Sequence, residues 1–378
     1  MSKVHTQTTL EQAFLAHFHM APELSVRAPG RVNLIGEHTD YNQGYVLPCV
    51  IPYFTYVACA KRNDHEVHAL ALDFKGETDR FALDRDISAH PSQPWSNYLR
   101  GMVQVMQQAG QQFGGMNIAI AGNVPLGAGL SSSAAFEVAL GRALQQLYAL
   151  PVDAVRIAQW GQATENQFVG CQCGIMDQMV CAVGEAHSAL LLDCGDLSVE
   201  HIPIPEDLAL IIVHSGVKRG LVDSAYNMRR EQCESVAEFF GQTSLRTVSM
   251  QQLQAQEHAL PALAYRRARH VLSENARVLA FAQALRQHDL SSMGVLMAQS
   301  HESMRADFEI TTPEVDQLVT ALQKLIGPQG GARMTGGGFG GCCVGLLKRE
   351  CLAQVIAALP EHYQAPDGQP LRIFTMGA

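Results

Sequence analysis

Nowhere in the sequence do apolar residues continue for anything near the ~18 positions that a membrane-spanning helix needs. The longest run, Leu208 to Val213, has the length of a strand and lies between Asp207 and His214. The first residues lack the basic-then-apolar order of a signal peptide. No repeat or low-complexity tract is present. There is no G-x-x-x-x-G-K-[ST] segment, which sets aside the P-loop fold, and no H-R-D loop paired with D-F-G, which sets aside the protein kinases. Positive charge is also short: the net charge is −9, so a surface built to hold a polyanionic nucleic acid is not expected. A small anionic ligand is still compatible with that balance. Only 17% of residues are charged against 47% apolar, which excludes a disordered chain. The 378 residues are too many for one ordinary core and suit two domains of about 150 residues or more.

The ten cysteines are scattered through apolar or glycine-rich segments, so reduced thiols and a cytoplasmic setting are expected, not a disulfide framework. Cys171-Gln172-Cys173 is one residue too tight for a zinc knuckle, and no Cys/His pair follows at finger distance.

Pattern reading places a surface helix at the start, with Thr8 and Glu11 as a capping box and Leu10, Ala13, Phe14 and Phe18 as its apolar stripe. A strand from Leu24 to Ala28 is expected to end at Pro29-Gly30. Strands follow within Val46–Cys59 and Met116–Ala121, with a helix over Trp95–Gln108 between them. After Gly122 comes a glycine-rich turn, then Ser131-Ser132-Ser133 and an Ala/Leu-rich helix to about Tyr148. Pro151-Val152-Asp153 opens a further helix that carries Glu165. The extended, proline-punctuated stretch His201–Pro205 is the best boundary, giving domains 1–205 and 206–378. Beyond it come a strand, helices from Asp223 to Leu325, and a closing strand, glycine turn, strand, helix and strand. Strands and helices mix without a regular βαβ rhythm, so the fold class is α+β.

Three segments carry chemistry. The stretch Gly127, Ala128, Gly129, Leu130, Ser131, Ser132, Ser133 offers free backbone N–H groups, little bulk and a helix start, the needs of a phosphate site; the serines are read as helix caps. An ordinary serine-capped helix fits the same residues. The loop Arg31 to Asp40 crowds Arg31, Asn33, Glu37, His38, Thr39 and Asp40 around one apolar step. Such a set matches a polyhydroxylated ligand whose hydroxyls both donate and accept, although a solvated connection fits equally. Asp177, set among Ile175, Met176, Met179 and Val180, needs a cation to stay ionised, and Arg31 is the candidate. The pair suits a catalytic base or a structural ion pair alike.

Together with Met334-Thr335-Gly336-Gly337-Gly338-Phe339-Gly340-Gly341-Cys342, these segments resemble the motif set of the galactokinases. That family belongs to the superfamily that also holds homoserine, mevalonate and phosphomevalonate kinases. The stretch Gly30 to Tyr41 is the part that marks the galactose branch, and the likeness runs from about Arg27 to the last strand. The resemblance implies a two-domain fold with the active site at the domain junction, and transfer of the γ-phosphoryl group of ATP to the anomeric hydroxyl of galactose. It implies Asp177 as catalytic base with Arg31 as its electrostatic partner. Glu37, His38, Thr39, Asp40, Gly174 and Tyr226 are implied as sugar contacts. Gly127 to Ser133 is implied as the phosphate loop, with Ser133 and Glu165 as Mg²⁺ ligands. Galactose and ATP are the implied partners, for a monomer or weak oligomer that touches neither nucleic acid nor membrane. Gln43 and Phe136 depart from the family pattern, with consequences expected only for loop shape and helix packing. Trp95 and Tyr98 are candidates for the adenine pocket. A kinase for another sugar, such as N-acetylgalactosamine, is the nearest alternative; the Glu37-His38-Thr39-Asp40 signature favours galactose. A non-catalytic galactose sensor would lack residues after the Gly-Leu-Ser-Ser step, and here Ser131-Ser132-Ser133-Ala134-Ala135 is complete.

Overall fold

The computed structural model describes residues 5–125, 127–217 and 222–377. The chain divides into two compact units, each assembled from separated stretches. One comprises Met1–Arg31, Ile51–Leu126 and Leu130–Val183; the other comprises Val32–Val50, Gly127–Gly129 and Gly184–Ala378.

In the first unit, the strand Pro48–Lys61 runs antiparallel to Met116–Gly122, which is parallel to Glu66–Ala71, itself antiparallel to Glu77–Ala82. Mixed pairing with segregated helices is the α+β class. The first helix, Gln7–Phe18, buries Leu10 and Phe14 against Tyr56, Ala58, Ala60, Leu70, Ala119 and Ala121. Alternate small residues on two adjacent strands leave room for those two side chains. Its cap is not Thr8. Thr6 accepts from the Thr9 N–H at 3.3 Å, and Thr9 Oγ1 accepts from the Thr6 N–H at 2.8 Å. Thr9 does here what a glutamate does in the usual box, and Glu11 is left to accept from Gln7 at 2.9 Å.

The strand expected to stop at Pro29-Gly30 continues, spanning Leu24–Asn33. Among the described residues it pairs only with Pro48–Lys61, so it lies at an edge where a proline without an N–H is tolerated. Gly30 permits a close pass: a Cβ there would sit 2.8 Å from the Leu130 carbonyl oxygen and 2.9 Å from Val124 Cγ1. The helix Pro94–Gln108 buries Leu99, Met102, Val103 and Met106, the stripe its spacing predicts. The helix Ser132–Leu147 is buried on most of its circumference, as an Ala/Leu-rich segment should be. Asp153 caps Ala154–Ala163, which continues as a π-helical turn over Thr164–Val169.

The second unit holds an antiparallel sheet in the order Gly330–Thr335, Cys342–Lys348, Leu208–His214, Ile373–Met376. The helices Val222–Phe239, Ala262–Arg286, Leu290–Ser303, Pro313–Ile326 and Arg349–His362 accompany it, around a core that includes Ile211, Val213, Phe308, Leu318 and Leu322. The stretch Val199–Pro203 is a strand paired with Ser188–Asp193, which also pairs with Tyr45–Val46 and Cys49. Thr335 faces Cys342, and the turn between them carries positive φ at Gly336, Gly338, Phe339, Gly340 and Gly341. A turn with so many left-handed positions is why this segment is nearly all glycine. All ten cysteines are free thiols. Among the described residues, no helix is long and apolar enough to cross a membrane.

Candidate active site

In the first unit, one backbone contact brings two motifs together: the Arg31 N–H donates to the Leu130 carbonyl at 3.1 Å. Arg31 then reaches Asp177 with two parallel bonds, Nε to Oδ1 at 2.7 Å and Nη2 to Oδ2 at 2.5 Å. This fork-to-carboxylate geometry is the strongest that the two groups can form. Arg31 is 4% exposed, whereas the Asp177 side chain retains 31% of its surface. Asp177 lies in the first turn of Met176–Val183, where the helix dipole also favours a negative charge. Gly174 is buried three residues earlier.

Ser131 departs from its expected part. It occupies the N-cap of Ser132–Leu147 in the left-handed region, φ 59° and ψ 51°, and its side chain makes no cap bond. The hydroxyl donates instead to Asp177 Oδ2 at 2.5 Å. The helix start is thereby left without a side-chain cap.

Ser132 and Ser133 line a cavity of about 200 Å³ whose other walls include Phe74, Trp95, Tyr98, Phe136 and Asp73. Phe74 and Trp95 stack with centroids 6.1 Å apart and an interplanar angle of 23°, and the indole N–H is fixed on Glu77 at 2.8 Å. Phe136, read from the sequence as a matter of helix packing, is part of this wall. Phe74 and Asp73 carried no sequence signal beyond one aromatic and one acid near a glycine. Burial raises Asp73 above the usual carboxylate range, with His5 pulling it back.

Glu165 stands on the π-helical turn, 7% exposed. Glu137, one helical turn after Ser133, is fully buried; burial first, then the nearby charges of Glu165 and Asp177, push its carboxyl well above the usual range. Gln178 donates to Glu137 Oε2 at 3.1 Å.

In the second unit, the sugar-type loop is buried from Val32 to Thr39, and Asp40 is half-buried. Glu37 Oε1 accepts from the Gly336 N–H at 2.9 Å and forms an ion pair with Arg333, whose Nη2 lies 3.2 Å away. His38, at φ 62°, places Nδ1 2.8 Å from the Tyr41 hydroxyl and Nε2 3.3 Å from the Gly337 carbonyl. The carbonyl can only accept, so Nε2 carries a proton, and the Tyr41 hydroxyl can donate to an unprotonated Nδ1. Burial holds Tyr41 well above the usual phenol range, so that donor persists. The His38 ring lies 4.8 Å from both Tyr226 and Phe308. Thr39 is fully buried with its hydroxyl 2.7 Å from the Tyr45 carbonyl and 3.0 Å from that of Gly36. Asp40 begins the short helix Asp40–Asn42, and Gln43 ends it at φ 56°, its amide oxygen accepting from Ser244 at 3.1 Å.

Below the loop lies a tier of buried polar groups. The Gly36 N–H donates to Glu274 at 3.0 Å, and His270 Nε2 donates to the Glu37 carbonyl at 3.1 Å. Burial pushes Glu274 up, but Arg277, His270, Arg333 and Ser300 overcome it and bring the carboxyl to about 2. Burial brings His270 down to about 4.

This arrangement meets its match among known proteins. Residues 12–61 fit the galactokinase galactose-binding signature, 97–185 the GHMP kinases N terminal domain, and 281–365 the GHMP kinases C terminal domain. The galactokinase of Lactococcus lactis, solved in complex with galactose, superposes with a TM-score of 0.91 at 33% identity, over 97% of each chain. The chain belongs to the galactokinase family. It is therefore an ATP-dependent sugar kinase. More distant likenesses share the fold. Mevalonate kinase of Methanococcus jannaschii matches at TM-score 0.65 and 16% identity, covering 93% of this chain and 97% of its own. Phosphomevalonate kinase of Streptococcus pneumoniae, in complex with phosphomevalonate and AMPPNP, matches at 0.65 and 15%, covering 93% and 99%. The galactokinase signature spans Arg31, Glu37, His38 and Asp40, and the N-terminal GHMP match spans the Ser131 helix start, Glu165 and Asp177.

Proposed function

We propose that this chain transfers the γ-phosphoryl group of ATP to the C1 hydroxyl of galactose, giving galactose 1-phosphate and ADP, with Asp177 taking the hydroxyl proton. The observation that carries the reading is the Asp177 carboxylate, held by Arg31 on both oxygens and by Ser131 at the phosphate-loop helix start. Phosphoryl transfer asks mainly for position and charge balance, because its transition state is loose. Arg31 fixes the direction of the carboxylate and adds positive charge beside the phosphoryl being transferred. The amides and dipole of the Gly127–Ser133 turn and helix hold the ATP phosphates, and the cavity beside Ser132 and Ser133 takes the adenine against Trp95 and Phe74. Glu37, His38, Asp40, Gly174 and Tyr226 hold the sugar, while Thr39, with its hydroxyl committed to backbone carbonyls, supports the loop.

The donor set fits Mg²⁺. Ser133 and Glu165 would offer hard oxygen ligands, and among the described residues no cluster of three His, Cys, Asp or Glu forms a closed cage. An ion shared between one or two protein oxygens and nucleotide phosphates needs none. When bound, it would neutralise phosphate charge. We further propose a cytoplasmic enzyme that works on small molecules as a monomer or weak oligomer.

Asp177→Asn keeps the shape and removes the base. Turnover should fall by about 10²–10⁴-fold while ATP binding is retained. Near-normal phosphorylation of galactose by this variant would refute the assignment.

A further inference from the structure

Arg333 lies in the strand Gly330–Thr335 with its side chain wholly buried, flanked by the equally buried Ala332 and Met334. A guanidinium in such a place is costly unless its donors are used, and an apolar side chain of similar length would fill the space without that cost. The contacts show what the charge holds. Nη1 donates to the Leu34 carbonyl at 2.8 Å, and Nη2 reaches Glu37 Oε1 at 3.2 Å and Met304 Sδ at 3.4 Å. Nε has no partner among the described residues. One rigid group therefore spans the backbone at one end of the Leu34–Glu37 stretch and the carboxylate at the other.

Neighbouring groups hold the same loop by its backbone alone. Thr335, two residues on and so on the same face of the strand, donates to the Asn33 carbonyl at 2.9 Å. Glu274 and His270 hold Gly36 and the Glu37 carbonyl. Among the described residues, Arg333 is the side chain bonded to the Glu37 carboxylate, whose Oε1 also takes the Gly336 N–H. Both contacts fall on Oε1, and among the described residues no hydrogen bond is made to Oε2.

We infer that Arg333 is a positioning residue for sugar recognition: it fixes the direction of the Glu37 carboxylate, and so sets how tightly the sugar is gripped. This rests on the reading of Glu37 as a sugar contact. A residue that served the fold alone would lower stability without distinguishing the two substrates.

The test compares Arg333→Lys, Arg333→Gln and Glu37→Gln with the unaltered chain, measuring KM for galactose and for ATP, kcat and thermal stability. For Arg333→Gln the galactose KM should rise about tenfold or more with the ATP KM nearly unchanged, and Arg333→Lys should recover part of the loss. Adding Glu37→Gln to Arg333→Gln should cost little more than either change alone, because both act through one carboxylate. An unchanged galactose KM in Glu37→Gln would overturn the reading of Glu37 itself. A raised galactose KM in Glu37→Gln, with equal effects on both substrates in the Arg333 variants, would overturn the inference and leave that reading standing. If the single Arg333 variants fail to fold, the double change Arg333→Met with Glu37→Met removes both charges together. A double variant that folds where the single Arg333 changes do not supports the pairing, and one that also fails to fold marks Arg333 as a fold residue and overturns the inference.

Discussion

Ser131 and Asp177, 46 positions apart, meet at 2.5 Å, and the serine gives its hydroxyl to the carboxylate instead of to the helix it begins. The backbone makes this possible. With φ at 59°, Ser131 turns its side chain away from the N–H groups a cap would serve and toward the helix that bears Asp177. Asp177 thus receives three donor contacts, two from Arg31 and one from Ser131.

Ser131→Gly separates the two parts a serine plays there. Glycine accepts the left-handed backbone without strain, and no cap bond exists to be lost. Thermal stability should therefore hold or rise slightly, while kcat for galactose falls as Asp177 loses a donor. A serine that served only as a helix cap would give the opposite result: a stability loss of roughly a few tenths of a kcal/mol with kcat preserved.

Stability should fall in mild acid. Burial lowers both His270 and His301 to about 4, from an ordinary 6.5. Between those values the unfolded chain takes up protons that the folded chain refuses, so stability is full above 6.5 and declines as the pH drops toward 4. Each histidine adds a slope of about 1.4 kcal/mol per pH unit within the window. Glu274 extends the decline further down, because its native carboxyl titrates near 2 and the unfolded one near 4.5. Urea unfolding across this range should show the slope, and His270→Asn should flatten it. A pH-independent unfolding midpoint between 4 and 6.5 would contradict the burial of neutral rings.

The nucleotide cavity has a built-in reporter. Trp95 and Trp160 are the two tryptophans, and only Trp95 lines the cavity with Ser132 and Ser133. In a Trp160→Phe background, ATP should change the Trp95 emission and galactose should not. Trp95→Leu should raise the ATP KM about tenfold with the galactose KM nearly unchanged. An emission that responds to neither ATP nor ADP would move the adenine elsewhere.

Much of the fold was legible in the sequence, because the patterns involved are local. The stripe of Leu99, Met102, Val103 and Met106, the six-residue apolar run of Leu208–Val213 and the glycine turn after Thr335 each state their own structure. The early stop at Pro29-Gly30 failed because a glycine that permits a close pass reads the same as one that breaks a strand; the deciding neighbour, Leu130, is distant in sequence. The serine run announced a helix start, yet the bond from Ser131 to Asp177 depends on tertiary approach and a single positive φ. Arg333 and Glu137 did leave a trace, Arg333 as the lone charge of its strand and Glu137 as one of two charges, with Arg142, in an Ala/Leu-rich helix. Charge in an apolar strand or helix reports that something is held there, without naming the partner.

The central claim concerns what the enzyme phosphorylates. The most direct test supplies labelled ATP with galactose, N-acetylgalactosamine, glucose and mevalonate in parallel, and identifies the product. Label should pass to galactose, at the C1 oxygen, in preference to the other three acceptors. Preferential labelling of another acceptor, or ATP consumption without galactose 1-phosphate, would contradict the account.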